Sequence, residues 1–174
     1  MNPIEKDIEK DKWVNNSPII VSACLLGINC VFDGSSNKNI RILELMEKHL
    51  IIPVCPEQLG GLSTPRDPQD ILQGSGEDVL LGKAKVVTIN GNDVTENFKK
   101  GASEVLEVAK LNKVKIAVFK ENSPSCGVHF IYNVKQNQKF KTSGKGVTTA
   151  LLLENGLRII SEKELEKNSL SDLL

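Results

Sequence analysis

Val114-Lys115-Ile116-Ala117-Val118-Phe119 runs directly into Lys120-Glu121-Asn122-Ser123-Pro124-Ser125-Cys126-Gly127. The first six residues form a short apolar run of the kind that makes a buried strand. The next eight are mostly small, turn-forming residues around a thiol. Two other cysteines stand in the same setting. Cys24 closes Pro18-Ile19-Ile20-Val21-Ser22-Ala23, and Cys55 closes Leu50-Ile51-Ile52-Pro53-Val54. In an open parallel sheet the downstream strand ends face one crevice, and ligands bind there. Three thiols at three strand ends therefore predict a cysteine-lined crevice around which the chain is arranged.

Working outward, the 174 residues suffice for one domain with a substantial core. With 40% hydrophobic and 25% charged residues, the composition is that of an ordinary soluble globular protein. A formal net charge of zero argues against bulk affinity for DNA or an anionic membrane. No apolar run approaches the roughly 18 residues of a spanning helix. Met1 to Asn16 is polar and lacks the apolar centre of a secretory signal. These features lead to an expected cytoplasmic location, where four cysteines are metal-binding, catalytic or simply buried rather than disulfide-bonded.

Residues 1–16 read as an N-terminal arm pinned by Trp13, and residues 17–174 as an α/β domain. Strands are expected at 18–23, 50–54, 83–89, 114–119, 128–133 and 157–160. A helix is expected from an Asn39 N-cap, with Ile42, Leu43, Met46 and Leu50 inward. A second starts at an Asp93 N-cap with Glu96 completing a capping box, and carries Val94, Phe98, Ala102, Val105, Leu106 and Ala109 at helical spacing. A third opens at Ser143 to Thr149 and stops at Asn155-Gly156; a polar helical tail begins at Glu162. Pro56 to Pro68 reads as a long functional loop. The alternation predicts an α/β fold, a single domain with a mostly parallel, Rossmann-like sheet and helices on both faces.

Read as chemistry, the residues leave alternatives open. The three strand-end cysteines are either small buried apolar groups or a shared metal or cluster site, in which three thiolates would leave one iron of a cubane open. Cys24 and Cys30 have the span of a phosphatase Cys-x5-Arg loop, but a cysteine replaces the arginine that would grip phosphate, and that reading is rejected. Glu57 follows Cys55 by two, placed either to move protons or to pair with Arg66. Ser123 and Ser125 are turn residues or positioners of a substrate oxygen. Gly144-Lys145-Gly146-Val147-Thr148 is an anion cradle at a helix start or a flexible cap. His49 and His129 form no triad.

The ordered blocks Val21-Ser22-Ala23-Cys24-Leu25-Leu26-Gly27 with Asp33-Gly34, Pro53-Val54-Cys55-Pro56-Glu57 with Gly60-Gly61-Leu62 and Pro65-Arg66, Asp93-Val94-Thr95 with Phe98 and Gly101-Ala102, Ser123-Pro124-Ser125-Cys126-Gly127 after Lys120, and Gly144 to Thr148 together resemble the DUF523 (TudS-like) family. The resemblance covers residues 18 to 156 and is jointly specific. It implies a [4Fe-4S] cluster held by Cys24, Cys55 and Cys126 with one open iron, and leaves Cys30 outside the ligand set. It maps the acid/base to Glu57 and the catalytic serine to Ser123, with Ser125 the alternative. The implied reaction is non-redox, hydrolytic desulfuration of a thiolated uracil, either 4-thiouracil or 4-thiouridine monophosphate, with release of sulfide. The implied partner is thus a small thiolated pyrimidine, with no DNA and no membrane. For a nucleotide, the expected phosphate contacts are Gly144, Lys145, Gly146 and Thr148 with Arg66. The rival expectation is a non-catalytic cluster module for sensing or structure, closed by Cys30.

Overall fold

The computed structural model describes residues 18–135, 138–170 and 172. The expected arm at 1–16, Trp13 included, lies outside the described residues. Four short strands, β1 (Ile19–Ser22), β2 (Ile51–Val54), β5 (Ile116–Phe119) and β8 (Arg158–Ser161), make an all-parallel sheet in the order β2-β1-β5-β8. Their residues are nearly all apolar because both faces are covered. Ile19 and Val21 of β1 pack with Ile42, Leu165 and Leu170, under α1 (Ile40–Leu45) and α6 (Glu162–Leu165). Ile20, Ala117 and Phe119 point the other way, toward α4 (Thr95–Leu111) and α5 (Val147–Glu154). The expected parallel sheet with helices on both faces is what forms.

A second, mixed sheet accompanies it, in the order β4-β3-β6-β7. It consists of β3 (Gln69–Leu72), β4 (Lys85–Thr88), β6 (Phe130–Lys135) and β7 (Gln138–Ser143). β3 pairs parallel to β6 and antiparallel to β4, and β6 pairs antiparallel to β7. The long helix α4 serves both sheets. Phe98 and Ala102 pack with Ile71, Val86 and Ile131 of the second sheet, together with α3 (Gly76–Leu80). Val105, Leu106 and Ala109, further along, pack on the first.

Three local expectations are corrected. The helix after Asn39 stops at Leu45, so Met46 and Leu50 are about half exposed rather than inward. Asn39 is its N-cap as expected, its side chain accepting from Arg41 N. The N-cap of α4 is Val94, not Asp93. Asp93 Oδ1 instead accepts from Thr95 N and Thr95 Oγ1, while Lys85 holds Oδ2. Within the long Pro56 to Pro68 stretch lies a single helical turn, α2 (Pro56–Leu59), begun by proline at its first position.

α2 docks on α4 through glycine. A Cβ on Gly101 would strike the carbonyl of Pro56, and one on Gly60 would strike the carbonyl of Asn97. Only glycine permits so close an approach.

Candidate active site

The chain runs from β1 out to β2 on one side, then crosses to β5 and β8 on the other, so the order reverses beside β1. Such a switch point opens a crevice at the downstream strand ends. A cavity of about 370 Å³ lies there, and Cys24, Cys30, Cys55 and Cys126 all line it. Cys24 sits in the helical turn that follows β1, and Cys55 is the N-cap residue of α2. Cys126 is reached from β5 through the Lys120–Ser125 turn. The far wall comes from the second sheet, through Asp70, Tyr132 and Lys139. Lys139 Nζ is 2.8 Å from Asp70 Oδ2 and lies over the Tyr132 ring.

The Cys126 loop is held from both sides. Ser123 Oγ accepts from Ser125 N at 3.1 Å and Cys126 N at 3.0 Å. From the start of α5, Gly146 N donates to Gly127 O, Val147 N to Pro124 O, and Thr148 N to Ser125 O. Thr149 Oγ1 donates to Cys126 O at 2.8 Å. The expected anion cradle is therefore not brought to the cavity. The helix-start donors that would face a phosphate are consumed by the cysteine loop. Gly144, Lys145, Gly146 and Thr148 do not line the cavity, and Lys145 pairs with Glu77 at 2.8 Å.

The two serines separate cleanly. Ser125 is fully buried, with its hydroxyl 2.8 Å from Thr148 Oγ1. Ser123 lines the cavity beside Glu57. Glu57 Oε2 also receives Arg66 Nη2 at 2.6 Å and lies 3.6 Å from Cys55 Sγ. The same guanidinium nitrogen donates to Cys30 O at 3.1 Å, and Nη1 donates to Ser63 O and Thr64 Oγ1. Arg66 thus faces the carboxylate and the Cys30 loop, with no terminal nitrogen left over for a phosphate. Burial pushes the Glu57 carboxyl above the usual carboxylate range even with Arg66 beside it.

Cys30 is buried and packs against Cys24 and Cys55, and Cys55 Sγ donates to the Cys30 carbonyl at 3.8 Å. Those contacts draw Cys24 and Cys55 below the usual thiol range and push Cys30 above it, while burial pushes Cys126 up. Among the described residues, no three His, Cys, Asp or Glu side chains close on a point that would hold a single metal ion. The thiols ring a cavity instead.

Several wall residues lie outside the set expected to form the site. Glu121 accepts from Val128 N at 2.7 Å and His129 N at 3.0 Å, and its own N–H donates to Glu162 Oε2 at 2.7 Å. Lys120 Nζ pairs with Glu162 Oε1 at 2.9 Å. Asp70, Tyr132 and Lys139 belong to strands distant in sequence, so no spacing betrays them. His129 is half exposed, bonded to Glu121 and outside the cavity lining.

This arrangement has relatives. The chain is 50% identical over 147 residues to the uncharacterized protein YbbK of Bacillus subtilis (strain 168), a match covering 84% of this chain and 97% of that one. A solved structure titled [4Fe-4S]-dependent thiouracil desulfidase TudS (DUF523Vcz) superposes with a TM-score of 0.73 at 37% identity, covering 91% of this chain and all of the other. The model of the 2-thiouracil desulfurase family matches residues 19–164, and with nearly the whole described chain inside that match, the protein belongs to this family.

Proposed function

We propose that the protein is a [4Fe-4S]-dependent desulfidase that hydrolyses a thiolated uracil, 4-thiouracil or its nucleotide, to the oxo form and sulfide. The observation that carries this reading is the convergence of thiols from separate strand ends on one cavity, which Glu57 and Ser123 also line. The donor set fits the cluster. Thiolates are its usual protein ligands, and three of them, Cys24, Cys55 and Cys126, come from three different loops. The solved relative is named for the same cofactor. When bound, the cluster supplies a Lewis-acidic iron without a protein ligand, which polarises the C–S bond.

The chain's own groups do the rest. Ser123 positions a water against the thiocarbonyl carbon through its hydroxyl. Glu57 takes a proton from that water and returns it as the C–S bond breaks, so thiocarbonyl plus water becomes carbonyl plus hydrogen sulfide, with no net electron transfer. A carboxyl held above its usual range by burial suits that exchange near neutral pH. Arg66 fixes the carboxylate's position.

One observation favours a second reading, a closed four-cysteine module without catalysis. Cys30 packs with both Cys24 and Cys55. Anaerobic reconstitution with iron and sulfide assays separates the two. The desulfidase reading expects about four irons per chain in the wild type and in Cys30→Ser, with loss in Cys55→Ser. Equal loss in Cys30→Ser and Cys55→Ser supports the closed module.

A further inference from the structure

Among the described residues, two buried side-chain polar atoms have no hydrogen-bond partner, Arg66 Nε and Asn122 Oδ1. Both residues line the thiol cavity. Buried polar groups in native proteins are almost always paired, and an orphan at a cavity wall points to a partner supplied from the cavity. Arg66 is already engaged through both terminal nitrogens.

Asn122 bears a second mark. Its φ is 62°, in the left-handed region that residues other than glycine avoid and that asparagine tolerates best. The neighbours hold it there. Glu121 before it is fixed by Glu162 and by the Val128 and His129 amides. Asn122 N donates to Phe130 O at 3.1 Å. Ser123 after it caps the Cys126 turn. A wall residue kept in a strained conformation, with its carboxamide oxygen unpaired, is a recognisable functional placement.

We infer that Asn122 reads the imide edge of the pyrimidine, its carboxamide oxygen accepting the ring N3–H. This rests on the desulfidase reading above. N3 lies between C2 and C4, so a thiocarbonyl at either carbon is adjacent to the atom being read, and the contact serves 2-thio and 4-thio rings alike. Asn122 is next in sequence to Ser123, and both line the same cavity as Glu57, so a ring held at N3 turns its neighbouring carbon toward Ser123 and Glu57. The terminal amide rotates about a broad, soft torsion, which brings the oxygen covered in the free protein round to the ring. A ring without N3–H leaves that oxygen unpaired and sets a methyl group against the wall, and sites built to hydrogen-bond a substrate group reject analogues lacking it.

The test compares wild type, Asn122→Gly and Asn122→Asp, reconstituted anaerobically and assayed for sulfide release from 4-thiouracil and from N3-methyl-4-thiouracil. Thermal unfolding of the three cluster-free proteins is measured alongside. Wild type prefers the unmethylated ring by about tenfold or more in kcat/KM, the worth of one hydrogen bond to a buried group. Asn122→Gly brings that ratio close to one and raises Tm, because glycine relieves both the backbone strain and the orphan oxygen. Asn122→Asp, which keeps an acceptor and tolerates the same backbone, retains the preference. A glycine variant that keeps the preference, or one that lowers Tm, overturns the assignment. Equal turnover of both rings by wild type removes Asn122's role alone, whereas sulfide release from neither ring removes the desulfidase reading and this assignment with it.

Discussion

Arg66 Nη2 lies 2.6 Å from Glu57 Oε2, both side chains largely buried, and that nitrogen also holds the Cys30 carbonyl at 3.1 Å. One guanidinium therefore ties the acid/base candidate to the loop that carries Cys24 and Cys30. Opposite charge alone would depress the carboxyl. Burial wins instead, so Glu57 is oriented like a paired carboxylate yet takes up a proton more readily than one.

If Glu57 transfers the proton, Glu57→Gln keeps the cluster and substrate affinity but slows turnover by roughly 10²–10⁴-fold, the usual worth of a positioned acid or base. Turnover at saturating 4-thiouracil, normalised to iron, is the measurement. A near wild-type rate per cluster takes Glu57 out of the chemistry.

Arg66→Ala leaves Glu57 buried without its cation. Removing one partner of a buried pair costs about 3–5 kcal/mol of stability, and the ability of Glu57 to accept a proton keeps the loss near the lower figure. Denaturant unfolding of cluster-free protein measures it. Stability within 1 kcal/mol of wild type, on the same scale, contradicts a structural role for the pair.

The serines are expected to divide between chemistry and scaffolding. Ser125→Ala leaves Thr148 Oγ1 without its partner and lowers stability by about 1–3 kcal/mol, with turnover per cluster retained. Ser123→Ala lowers kcat. The opposite division, seen in paired unfolding and turnover measurements, assigns the catalytic hydroxyl to Ser125.

Much of this was legible in the sequence, for a physical reason. Parallel strands buried on both faces are nearly continuous apolar runs, so Ile19–Ser22, Ile51–Val54 and Ile116–Phe119 announce themselves, and their cysteines with them. The stripe of α4 is likewise plain, since Phe98, Ala102, Val105, Leu106 and Ala109 are all buried. β3 and β7 carry no such signal. Gln-Asp-Ile-Leu holds two apolar residues, and Gln-Lys-Phe-Lys-Thr-Ser lies on an exposed edge. With them went the far wall of the cavity, Asp70 and Lys139. The glycines and Lys145 before α5 resemble a phosphate cradle in one dimension. Only the fold reveals that the helix-start amides are spent on Pro124, Ser125 and Gly127 carbonyls.

The close approach of α2 to α4 yields a prediction away from the thiols. Gly101→Ala sets a methyl group against the Pro56 carbonyl and forces α2, with Glu57 on it, outward. The expected cost is about 1–3 kcal/mol, as for an overpacked core, together with a fall in turnover per cluster. Wild-type stability and rate in this variant contradict the packing described.

The most direct measurement is sulfide released against 4-thiouracil consumed by anaerobically reconstituted protein, repeated after the cluster is stripped with a chelator and again with Cys126→Ser. The account predicts one sulfide for each thiouracil lost, uracil as the product, and no release from either the stripped protein or the variant. Sulfide release that persists without the cluster, or a fully loaded wild type that leaves 4-thiouracil intact, contradicts it.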